Sequence, residues 1–254
     1  MRVALAALAG AGHALAGSAA AQGCDPARFR AVIDVGHTAE VPGATSARGV
    51  PEYAFNLALG REIEAALLGA GFPRTVLLVT SGPARRGLAL RAARANRARG
   101  DLLLSVHHDS VPEQFLETWE HDGKPQRFSD RFSGHSLFVS HENRFAQQSL
   151  RFASLLGARM KARGLRYTPH YTEAFMGWRR RELLDAEGGV YRFDALKVLH
   201  GVAMPAALLE AGSIVNRADE EALSSPDRRR LIAAATADAV AAFCAAMPDR
   251  PRPR

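Results

Sequence analysis

Phe29-Arg30-Ala31-Val32-Ile33-Asp34-Val35-Gly36-His37 decides the fold. Its middle is apolar and β-branched at Val32, Ile33 and Val35, and it stops at a glycine that hands the chain to a polar loop, so Phe29 to Val35 reads as a buried strand. Working outward, the turn-rich Val41-Pro42-Gly43-Ala44-Thr45-Ser46 precedes Phe55, Leu57, Leu59, Ile63, Leu67 and Leu68 at mostly helical spacing, with Gly71 just beyond. A helix is expected from Glu52 to Ala70. Arg74 to Thr80 reads as a second strand, Leu88 to Arg99 as an arginine-studded helix, and Asp101 to Val106 as a third strand. Strand, helix, strand, helix, strand is the alternation of an α/β protein with a mainly parallel sheet and helices on both faces. Further on, Leu137 to Ser140 reads as a strand, Gln147 to Arg163 as a helix, Ala206 to Leu209 as a strand that delivers Glu210, and Pro226 to Ala246 as a closing helix. The polar, irregular residues 111–134 are expected to form a long loop or a short inserted helix. No internal repeat and no second domain is visible.

The two ends are of a different character. Met1-Arg2, an apolar run from Val3 to Gly17 and the small residues Ser18-Ala19-Ala20-Ala21 have the order of a cleavable secretory signal, residues 1–21. The run is too short and too rich in glycine for a membrane span, and nothing later is apolar for long enough, so no transmembrane anchor is expected. One globular domain would occupy residues 22–246, followed by a disordered Pro/Arg tail at 247–254. Export places the mature chain in the periplasm, with release to the outside as the alternative. The two cysteines, Cys24 and Cys244, could close a staple between the ends in an oxidising compartment or stay as free thiols. The chain of 254 residues carries a net charge of +7, but its arginines are scattered along helices with no aromatic motif between them. That argues against nucleic acid and for anionic polymers of the cell envelope.

His37, His107 with His108, and Glu210 all fall at the ends of apolar strands, where α/β sheets collect ligands, and Glu52 opens a helix. Two imidazoles and a carboxylate with an open fourth position make a catalytic zinc site, and a further carboxylate can move the proton of the metal-bound water. The plainer reading gives each histidine a structural hydrogen bond and makes Glu52 a partner for the helix dipole. These positions form no compact local motif, so pattern alone leaves both readings open.

Four ordered segments resemble the zinc-dependent N-acetylmuramoyl-L-alanine amidases of the Amidase_3 family. Val32-Ile33-Asp34-Val35-Gly36-His37 is similar to the family's opening strand and first metal ligand. Pro42-Gly43-Ala44, Gly49 and Glu52-Tyr53-Ala54-Phe55-Asn56-Leu57 resemble the second-ligand segment. Arg91 to Asn96 followed by Asp101 to His107 resembles the helix and strand bearing the third ligand, and Met204 to Gly212, then Asn216, the segment of the catalytic glutamate. Val35 stands where the family has Pro, Thr38 and Ala39 replace glycines, His108 and Asp109 replace a small residue and Asn, and Ser213 replaces Phe. Adjacent strand residues face opposite ways, so one of the paired histidines reaches a metal, and alignment on Ser105-Val106 selects His107.

The resemblance implies a single α/β domain with a mixed sheet of about six strands, residues 22–246 being the catalytic domain. It implies Zn²⁺ held by His37, Glu52 and His107, with Glu210 as the catalytic carboxylate, and hydrolysis of the amide between N-acetylmuramic acid and the L-alanine of the stem peptide. Peptidoglycan is then the partner, with a protein activator as a further one. Two rival readings are a related zinc hydrolase of a small amide or peptide and a non-catalytic wall-binding regulator. Residues 111–134, with Glu113, Glu117, Glu120 and His121, are a candidate rim or lid, or else a solvated loop. Trp178 with Arg179-Arg180-Arg181 could contact glycan or phosphate, or be an aromatic packed beside a charged face.

Overall fold

A computed structural model describes residues 24–247; the expected signal at 1–21 and nearly all of the expected tail lie outside them. In chain order the elements are β1 (Ala31–Val35), α1 (Glu52–Gly69), β2 (Val76–Leu78), α2 (Ala84–Ala98), β3 (Leu102–Asp109), β4 (Glu117–His121), β5 (Lys124–Phe128), β6 (Ser136–Val139), α3 (Ala146–Ala162), β7 (Leu183–Asp185), β8 (Val190–Arg192), α4 (Lys197–His200), β9 (Ala206–Ser213), α5 (Arg217–Ser224) and α6 (Pro226–Ala245). The main sheet has seven strands in the order β2-β1-β3-β9-β6-β8-β7. The first four are mutually parallel; β6 runs antiparallel to β9, β8 parallel to β6, and β7 antiparallel to β8.

The central strands are apolar on consecutive residues because both faces of the sheet are covered. Ile33, Leu104 and Leu209 lie on the side of α1, α3 and α6, in one core with Leu59, Ile63, Phe152 and Phe243. Val32, Leu103 and Leu208 face the other way, against Ala92 and Ala95 of α2, Val198 and Leu199 of α4, and Tyr191. Helix starts are fixed by side chains at the end of the chain: Asn216 accepts from the N–H of Ala218 and Asp219, and Ser225, ahead of Pro226, accepts from that of Arg228. Cys24 and Cys244 are joined as a disulfide, with Cα atoms 5.2 Å apart.

Several expectations change. Residues 111–134 hold, besides a short helical turn at Glu113–Phe115, a two-stranded hairpin of β4 and β5. Its turn is Asp122-Gly123, both at positive φ (50° and 70°), the backbone a tight hairpin demands. The strand expected from Arg74 to Thr80 shrinks to three residues, and β7 and β8, too short to show an alternating pattern, add to the sheet. The strands expected to end before His107 and Glu210 instead run through them, to Asp109 and Ser213. No helix among the described residues is long and apolar enough to cross a membrane.

Candidate active site

At the carboxyl ends of β1 and β3 three side chains meet. His37 follows β1 directly and takes a left-handed backbone at φ 65°. The turn behind it is held by Thr38, whose N–H donates to the Val41 carbonyl (3.2 Å) and whose hydroxyl donates to the Gly82 carbonyl (3.0 Å). Glu52 is the first residue of α1, and its own N–H donates to Ala44 O at 2.8 Å while Ala44 N–H donates to its Oε2 at 3.1 Å, so backbone and side chain are locked to the same loop. The buried carboxylate then spans both imidazoles: Oε2 lies 2.9 Å from His37 Nε2, and Oε1 lies 3.0 Å from His107 Nδ1. One ligating atom from each of the three residues lies within 4.8 Å of the others.

Glycines allow this close approach. A Cβ at Gly36 would fall 2.5 Å from the His107 ring, and one at Gly43 would fall 2.7 Å from the His37 ring and collide with Glu52 Oε2. Burial opposes ionisation of Glu52, but the hydrogen bonds from His107 and His37 and their charge outweigh it and hold the carboxyl far below its ordinary range. A buried anion gripped by two imidazoles, one of them about a third open to solvent, is a donor set suited to a borderline divalent cation with a free position.

His108 turns away from this cluster. Its ring packs against Phe55 at 5.5 Å, and Nδ1 donates to Asn56 Oδ1 at 2.7 Å, while Asn56 Nδ2 donates to Gly36 O and Glu52 Oε1. Burial pushes the imidazole down to about 3, so it stays neutral. Asn56 thus buttresses Glu52, with His108 behind it.

Glu210 is the β9 partner of His107 in parallel register, so the two side chains share a face. Its Oε2 is buried with no hydrogen-bond partner among the described residues. Burial, then the charges of Asp109 and Glu52, push its carboxyl well above the ordinary range, with Arg179 pulling the other way.

Residues 31–242 match the Amidase_3 family, described as N-acetylmuramoyl-L-alanine amidase. The chain belongs to the Amidase_3 family. Solved amidases share the fold. Ami1 from Mycobacterium smegmatis superposes with a TM-score of 0.64 at 20% identity, over 87% of this chain and 98% of that one. The catalytic domain of CwlV from Bacillus (Paenibacillus) polymyxa var. colistinus gives 0.60 at 22%, over 85% and 97%. The CwlD amidase of Clostridioides difficile, seen in complex with the GerS lipoprotein, gives 0.61 at 15%, over 85% and 98%. A search of curated protein sequences finds no match.

The four residues read from the sequence therefore converge: three form the candidate metal cluster of this amidase, and the fourth stands beside it on the next strand. Of the polar groups around Glu210, sequence reasoning singled out Arg179, as a candidate glycan or phosphate contact, and gave no role to Asp109 or Tyr171. Asp109 ends β3 on the same face as His107, is pushed up to about 6 by burial against the pull of its hydrogen bonds, and accepts from Tyr171 Oη at 2.8 Å. The alternation that selects His107 would also have placed Asp109 beside it, whereas Tyr171 and Arg179 are brought in only by the path of the chain after α3. Beneath the site Asp34 accepts from Ser105 Oγ at 2.8 Å and lies 3.7 Å from Arg91 Nη1, tying β1, β3 and α2 together. His135, His170 and His200 stay outside the metal cluster, as does His141.

Proposed function

We propose that this peptidoglycan amidase is a zinc enzyme in which His37, Glu52 and His107 hold the ion and Glu210 moves the proton. The observation that carries this is the meeting of two imidazoles and a buried carboxylate within 4.8 Å, with a buried, unpartnered carboxylate oxygen on the neighbouring strand. Zinc bound there would supply Lewis acidity toward the scissile carbonyl and make water acidic enough to ionise near neutral pH.

The chain's own residues do the rest. Asn56 and the Ala44 N–H fix both oxygens of Glu52, so the cluster is organised before any cation arrives. Glu210 Oε2 takes a proton from the attacking water and returns it to the nitrogen of the leaving L-alanine. Burial raises its affinity for the proton, which favours the second half of that exchange, delivery to the leaving nitrogen. Tyr171 holds the Asp109 carboxylate in place through its hydroxyl.

The place of action we propose is the periplasm, reached by a signal at 1–21; the Cys24–Cys244 disulfide supports an oxidising compartment. A protein activator belongs to the same reading, supported by the lipoprotein bound to CwlD.

The test is release of free stem peptide from purified wall and from short uncross-linked fragments, with and without added zinc, by wild type and Glu210→Gln. Expected is zinc-dependent release that falls about 10²–10⁴-fold in the variant while bound zinc is unchanged. Stoichiometric zinc with no release from either substrate would overturn the reading, as would a variant of full activity.

A further inference from the structure

Glu210 lines a cavity of about 160 Å³ together with Asp109, Tyr171, Arg179 and Trp178. The cavity does not end there. Trp178, Arg181 and Phe193 belong equally to a shallow cleft of about 440 Å³ that runs outward over the segment after α3. The two hollows adjoin along Trp178, Arg181 and Phe193, and this shared wall, the Trp178 channel, reaches solvent at Trp178, a residue 85% exposed.

Arg181 is held by neutral partners, whereas Arg179 faces Asp109 and Glu210 across the cavity and its charge pulls both carboxyls down. Arg181 Nη1 donates to the carbonyls of Trp178 (3.0 Å) and Arg180 (2.9 Å), and its guanidinium lies 3.8 Å from the centre of the Phe193 ring. Its backbone N–H donates to Tyr171 O at 2.7 Å, which ties the segment to the wall of the cavity. Arg192, at the far side of the cleft, is matched with Asp194 and Glu182. Among the described residues no carboxylate pairs with Arg179 or Arg181. Two guanidiniums outside any ion pair, one of them held by backbone carbonyls and the Phe193 ring, fit a carboxylate.

The substrate supplies one on only one side of the scissile bond. The N-acetylated glycan half carries no ionised group next to the amide, whereas the stem peptide carries the free α-carboxylate of its γ-linked D-glutamate one residue beyond the L-alanine. We propose that Arg179 and Arg181, beside Trp178, form the subsite that binds this carboxylate, so that the departing peptide lies along the Trp178 channel and the glycan on the opposite side of the metal cluster. This rests on the amidase reading above and adds a direction to it. It also places Glu210 between the scissile nitrogen and the exit of the peptide, where the returned proton is needed.

The experiment compares two muramyl-peptide fragments that differ only in whether that carboxylate is free or amidated, with zinc-loaded wild type and with Arg179→Gln/Arg181→Gln. Wild type should favour the free acid by about 10–100-fold in kcat/KM, mostly through KM, as expected for loss of a charge-assisted hydrogen bond. The double variant should lose that preference, handling the free and amidated fragments alike, whatever its absolute rate, because Arg179 also acts on the charge of Glu210. A second readout is calorimetric binding of the product peptide, free or amidated, to the same two proteins, which requires no turnover. Discrimination in binding by wild type alone supports the subsite even if turnover fails and the amidase reading falls with it. Equal handling of both peptides by wild type, or equal losses on both in the variant, overturns the subsite and leaves the amidase reading intact. A preference that follows the peptide's terminal carboxylate instead, seen with a terminally amidated control, overturns the assignment to glutamate.

Discussion

His37 carries a strained backbone, and the strain has a use. A left-handed residue with a side chain costs about 1 kcal/mol or more, and at φ 65° the chain turns back sharply enough for the imidazole to meet Glu52. The room for that meeting comes from Gly43, itself at φ +82°. Gly43→Ala adds strain on both counts: a methyl group at positive φ, and a Cβ driven into the His37 ring and Glu52 Oε2. The expected outcome is a loss of about 1–2 kcal/mol in stability of the metal-free protein together with a zinc Kd raised at least tenfold. Thermal melts and competition with a chelating dye measure the two separately; lower stability with unchanged zinc affinity would show that Gly43 serves only the turn. At this scale strand ends and a helix start drew attention to His37, Glu52, His107 with His108, and Glu210, but only the resemblance to the amidases gave them roles and chose His107. Asp109 sat in the same stretch of sequence, but its burial and its bond from Tyr171 depend on a segment about 60 residues away and leave no local trace.

The hairpin of β4 and β5 is the element that local reading took for a long loop or a short inserted helix. Its strands are mostly exposed and polar, so they lack the apolar alternation that signals a half-buried strand, yet Asp122-Gly123 is a tight-turn dipeptide and could have revealed it. One side chain fastens it to the domain. Trp119 Nε1 donates to Ala47 O at 2.8 Å, and Arg217 lies over both Trp119 (5.0 Å) and Phe128 (4.0 Å). Ala47 belongs to the loop that runs from Gly43 to Glu52, so the hairpin braces the approach to a candidate metal ligand. Trp119→Ala should therefore speed amide hydrogen exchange at Ala47 and Val50, whose N–H groups donate to Ile214 O and to Ser46 Oγ, while β3 and β9 keep their protection. Unchanged exchange in that loop would mean that the bonds within it suffice without the hairpin. The long helices and the strands buried on both faces were read well because their patterns run for several turns or consecutive residues. Elements of three residues such as β7 and β8 have no pattern to read and owe their conformation to the neighbours they pair with, whereas β2 was anticipated, within too long a run.

Over the whole molecule, chemistry and closure sit at opposite ends of β1. The disulfide joins Cys24, ahead of the strand, to Cys244 near the end of α6, and Cys24 N–H also donates to Cys244 O at 3.2 Å. His37 lies beyond the other end of this five-residue strand, which itself spans about 17 Å. The sequence left open whether the cysteines pair, because spacing says nothing about whether two Cα atoms come within bonding range; packing of α6 on α1 and α3 brings them to 5.2 Å. Closing a loop of 220 residues restricts the unfolded chain more than any contact in the folded one, so the staple should contribute about 2–5 kcal/mol to stability. For a domain of this size that corresponds to about 5–15 °C in Tm. Cys24→Ser/Cys244→Ser should melt that much lower than the oxidised wild type and no lower than the reduced wild type. Its zinc affinity and its kcat on short fragments at 25 °C should match wild type, because the metal cluster is held by bonds from Ala44, Asn56 and Thr38, none of which touches the staple. A fall in zinc affinity alongside Tm would instead show that β1 transmits strain from one end to the other, and that closure and chemistry are coupled after all.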